Sequence, residues 1–89
     1  MHVLADVIGR IQSRQGCAVF VPDALGLNVS TIQYELLPCA ALEQAQRMQA
    51  AWPEPIRFNV AGLVSEYEGK PVLLLQRVTR SYNVGNFGG

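Results

Sequence analysis

The side chains that could do chemistry are few and scattered. His2 is the one histidine and stands at the terminus. That position leaves a histidine-based triad without its base and a zinc site without its commonest ligand. Cys17 and Cys39 are the two cysteines, which make neither a disulfide framework nor a zinc site. They read as reduced thiols packed as small apolar side chains, or as one disulfide if the chain is exported and the two lie close together. Cys39 falls at the first turn of a run of helix formers, where the helix dipole would favour a thiolate; a reactive thiol follows only if it is exposed. Glu66 and Glu68 stand two apart in "SEYEGK". Such a pair could serve as acid and base or hold a cation weakly, although a solvated turn is the commoner use of that pattern. There is no P-loop, GxSxG or HExxH. No nucleophile can be paired with a base, so the expectation is a protein without enzymatic activity, cofactor or metal.

The elements that must position these residues come from a chain of 89 residues, with 49% apolar and 16% charged. One small domain fits that length. The charged share is low against the roughly 25% of an average soluble domain. Either the surface carries neutral polar patches, or a second subunit covers apolar surface, and the second reading is preferred. Seven basic and seven acidic residues cancel, so the basic footprint of a nucleic-acid binder is missing overall. No apolar run approaches the ~20 residues of a membrane-spanning helix. "MHVLADVIGR" lacks the layout of a signal peptide. The chain therefore reads as cytoplasmic as written, and as exported if it is a piece of a longer protein.

Five strands and one helix are predicted. Val3 to Ser13 forms the first strand, with Val7, Gly9 and Ile11 on one face and Ile8, Arg10 and Gln12 on the other. "SRQG" turns the chain into "CAVFVPD", rich in β formers and stopped by Pro22. Thr31 to Leu37 alternates, with Ile32, Tyr34 and Leu36 opposite Thr31, Gln33 and Glu35, as in a strand with one wet face. Helix formers then run from Cys39 to Trp52 behind Pro38. Ala41, Ala45, Met48 and Trp52, with Leu42 beside them, form one apolar stripe, which makes Trp52 a core anchor. Pro53 and Pro55 end the helix. In "IRFNVAGLV", Ile56, Phe58, Val60 and Val64 share a face with Gly62. A turn at Glu68-Gly69 leads into a long last strand whose Val72–Leu75 run reads as buried on both faces. Residues 83–89 form a flexible tail rich in Gly and Asn behind a single domain over 1–82.

The order strand, strand, strand, helix, strand, strand matches a five-stranded OB-like Greek-key barrel, mainly β with one helix. An α+β sheet with the helix on one face is the rival architecture. Val7-Ile8-Gly9-Arg10-Ile11 and Val60-Ala61-Gly62-Leu63-Val64 each place glycine between apolar ends. Such glycines permit the sharp curl that a small barrel demands, or else let a neighbouring backbone come close. With these residues in view, "FNVAGLVSEYEGKPVLLL" resembles the closing hairpin of OB-fold proteins. "LLP" before the helix, together with "RFNVAGLVSEYEGKPVLLLQRV", resembles small bacterial OB-like proteins of uncharacterised function. The resemblance implies a fold, and a family whose members are often exported; it carries no catalytic or ligand residue.

OB-folds that bind nucleic acid use the face of strands two and three and the first and last hairpin loops. Those places hold Arg14, Phe20, Gln33, Tyr67 and Lys70, the candidate ligand face, together with Thr31 and Glu35. Phe20 and Tyr67 would stack bases; Arg14 and Lys70 are opposed by Glu35, Glu66 and Glu68. Arg77 and Arg80 read as a solvated edge. The preferred function is a binding or assembly module that self-associates or binds a protein partner. Tyr82 and Phe87 are the candidate interaction residues of the tail. The alternative is weak binding of single-stranded nucleic acid or oligosaccharide through the hairpin loops.

Overall fold

The computed structural model describes residues 2–23 and 32–81. Five strands, β1 (His2–Arg14), β2 (Cys17–Pro22), β3 (Tyr34–Leu36), β4 (Arg57–Tyr67) and β5 (Lys70–Ser81), accompany one helix, α1 (Ala40–Ala50). They close in the order β1-β2-β3-β5-β4, with β4 returning to β1. Every neighbouring pair is antiparallel except β3 and β5. That parallel pair follows from the helix inserted between β3 and β4, because a crossover rather than a hairpin carries the chain across. The predicted element order and closed five-stranded sheet are those observed.

The inward set of β4 is the one its alternation predicts. Ile56, Phe58, Val60, Gly62 and Val64 are all buried. Phe20, Phe58, Val60 and Leu73 are fully enclosed, each burial being worth about 1.5–3 kcal/mol. Leu42 and Ala45 bring the helix into this core, with Ala41 and Met48 at its margin.

The two strand glycines answer to space. A Cβ on Gly9 would meet Pro22 Cα at 2.7 Å and the Phe20 ring at 2.8 Å, besides the Val21 carbonyl. A Cβ on Gly62 would press on the Leu74 carbonyl, where the β4–β5 register shifts between Ala61 and Gly62. Close approach therefore accounts for both, and at Gly62 it coincides with a bulge that bends the pair. A second bulge falls in β1 between Leu4 and Val7, with Asp6 at φ 54°.

Several boundaries differ from the prediction. β3 is confined to Tyr34–Leu36, the segment with partners on β2 and β5. The helix starts after Cys39, its N-cap, so Pro38 precedes the cap and lies outside the first turn. It stops at Ala50, and Trp52, predicted as a core anchor, is 50% exposed. The Val72–Leu75 run is not buried throughout, because Leu74 points outward at 36% exposure. No helix among the described residues is long and apolar enough to cross a membrane.

Candidate functional site

Both hairpins turn in two residues. Gln15 and Gly16 have φ of 52° and 82°, and Glu68 and Gly69 have 53° and 79°. Positive φ at both central positions is what a type I′ turn requires, and glycine supplies it without steric cost at the second. Such tips leave the β1–β2 and β4–β5 connections with no slack chain to fold over a ligand.

The structure separates the predicted ligand residues. Phe20, expected to stack a ligand, is instead in the core at 0% exposure. It pairs with inward Ile11 and with buried Tyr34, and these pairings fix the side of the sheet it faces. Arg14 donates from Nη1 to Gln33 Oε1 at 2.8 Å, joining two predicted residues in an exposed contact. Tyr67, 67% exposed, faces Lys70 across the other hairpin. β1 runs antiparallel to β4, so its first residues lie near the β4–β5 hairpin and Arg14 lies at its far end. Arg14 and Gln33 therefore form one small polar site and Tyr67 and Lys70 another. Thr31, Tyr82 and Phe87 lie outside the described residues.

The thiols part company as well. Cys17 is exposed, contrary to its expected packing. Cys39 is half-buried, and its thiol donates to the Leu75 carbonyl at 3.6 Å. Glu66 and Glu68 are exposed at the hairpin tip, the solvated arrangement. Among the described residues no group of three or more His, Cys, Asp and Glu is placed to hold a metal ion.

The outer wall shows what residue types alone did not. Val3 pairs with Leu63, Leu63 pairs with Leu74, and the Leu37 amide donates to the Leu73 carbonyl. Alternation turns Val3, Leu63 and Leu74 away from the core set. A row of four apolar side chains thus crosses the outside from β1 to the end of β3, with Val3 at 67%, Leu37 at 38% and Leu74 at 36% exposure. At the usual strand spacing of about 4.8 Å the row spans roughly 15 Å. One signal was available beforehand, since Leu73-Leu74-Leu75 cannot all point inward from one strand.

Among known proteins, no family model, curated protein or solved structure matches this chain. Its site must be read from its own geometry.

A second feature lies past the helix. Trp52 is half exposed, and the guanidinium of Arg80 sits 4.4 Å from its ring centre. Arg80 was expected as a solvated edge charge; its stacking followed from Trp52 leaving the core.

Proposed function

We propose that the chain is an OB-like barrel that acts as a non-enzymatic assembly module and self-associates through its outer wall. The observation that carries this reading is the Val3–Leu63–Leu74–Leu37 row. Isolated surface leucines are ordinary, whereas a contiguous row on a sheet face favours a covering partner. The low charge of the chain supports the same reading, because few charged side chains are available to interrupt the row. Strand-edge joining, the other route to self-association, has less to work with. Each strand has a neighbour on both sides, which leaves only partial edges, the longest on β5 beyond the two residues that β3 covers. A symmetric dimer would place the row of one copy against that of another.

Binding of nucleic acid through the hairpin loops has lost its stacking Phe20 and its loops, leaving Tyr67 beside Lys70. That pair, set near Glu66 and Glu68, offers weak attraction to phosphates.

Light scattering after size exclusion, across a concentration series, tests the proposal. A mass rising toward twice 9.7 kDa is expected. A mass that stays monomeric to high concentration would remove it.

A further inference from the structure

We infer that the cleft beside Trp52 is a binding site for one ring of an uncharged saccharide. The cleft has a volume of about 210 Å³ and is lined by Trp52, Glu54, Ile56, Arg57, Arg80 and Ser81, with Pro55. It lies past the helix, apart from both hairpin tips and from the outer apolar row. The inference therefore stands independently of self-association.

The site is built rigidly. The Gln49 side chain donates to the Glu54 carbonyl at 2.8 Å and accepts from the Ile56 amide at 2.9 Å. One amide thus clamps both sides of Pro55, and the Trp52 amide donates to the Gln49 carbonyl at 3.1 Å. Pro53 and Pro55 restrict the same segment further. Arg80 covers part of the ring, yet half of the Trp52 surface still meets solvent. An exposed tryptophan held this firmly presents an apolar face whose ordering is complete before a ligand arrives, which lowers the entropic cost of binding.

Charge and size choose the ligand class. Arg57 is held through Nε by Asp23 Oδ2 at 2.8 Å, and Glu54 stands with Arg80 on the lining. Two cations and two carboxylates balance, so a polyanion finds no surplus charge. Glu54 accepts hydrogen bonds, the guanidiniums donate, and the Ser81 hydroxyl does both. A pyranose has the matching construction, with an apolar C–H face and a rim of hydroxyls that donate and accept. The volume is below the ~300 Å³ at which drug-sized pockets begin, and suits a single ring.

Trp52 is the sole tryptophan, so emission excited selectively at the red edge of the indole band, beyond tyrosine absorption, reports on this cleft alone. The probes are lactose, maltotriose and triacetylchitotriose, which end in galactose, glucose and N-acetylglucosamine. At least one should give a saturable change in emission with a Kd of about 1 mM, the same at low and high salt. Calorimetry on Trp52→Ala, shown to be folded by circular dichroism, should show that affinity reduced at least ~10-fold, and Trp52→Phe should keep part of it. Flat titrations with all three sugars would overturn the inference. So would undiminished binding by Trp52→Ala, or a response to oligothymidylate alone that fades with salt.

Discussion

Leu73 and Leu74 are neighbours on β5, and they differ in almost everything that packing provides. Leu73 is fully enclosed among Phe20, Phe58 and Val60, whereas Leu74 stands on the outer wall beside Leu63 at 36% exposure. The barrel interior is a finished core. The outer wall uses the same residue types without a cover. Identical chemistry on the two faces of one strand shows that apolar character settles what could be buried, and that register settles what is.

The widest gap between the two faces is expected at Gly62, where the inner wall leaves no room. Gly62→Ala drives a Cβ against the Leu74 carbonyl and should cost about 3 kcal/mol or more, read by urea denaturation. A variant within a few tenths of wild type would mean that the hairpin relaxes freely. Next comes the leucine pair. Leu73→Ala should lose about 2–5 kcal/mol, since it opens a cavity in the enclosed core. Leu74→Ala, measured on the dilute monomer, should stay within about 0.5 kcal/mol. Equal losses would erase the distinction between the faces. Smaller again, Trp52→Ala should cost about 1 kcal/mol by thermal melting, as only a partly exposed ring and its contact with Arg80 are removed. A loss above about 3 kcal/mol would restore Trp52 to the core.

Much of the fold was legible because local rules and pairing agreed. The inward set from Ile56 to Val64 alternates without interruption, and Glu68-Gly69 carries the dihedral signature of a tight hairpin. Where the reading failed, a long-range fact decided the outcome. Phe20 sits in an apolar strand either face of which could turn inward, and only its pairing with Ile11 and Tyr34 directs it to the core. Trp52 continues the helical stripe in sequence, but α1 ends at Ala50 and the ring leaves the helix face. Leu74 lies in a four-residue apolar run that suggests cover on both sides, yet the single helix supplies one covering layer. The leucine run of β5 hinted at an outward Leu74, but the row as a whole was not legible, because its members come from separate elements aligned by the β1–β4 and β4–β5 registers.

The most direct measurement of self-association through that wall is sedimentation equilibrium on the wild type and Leu74→Glu side by side, with circular dichroism as the folding control. The account predicts a concentration-dependent dimer for the wild type and a folded monomer for Leu74→Glu. A wild-type monomer at the highest concentration, or a Leu74→Glu variant that dimerises as tightly as wild type, would contradict it.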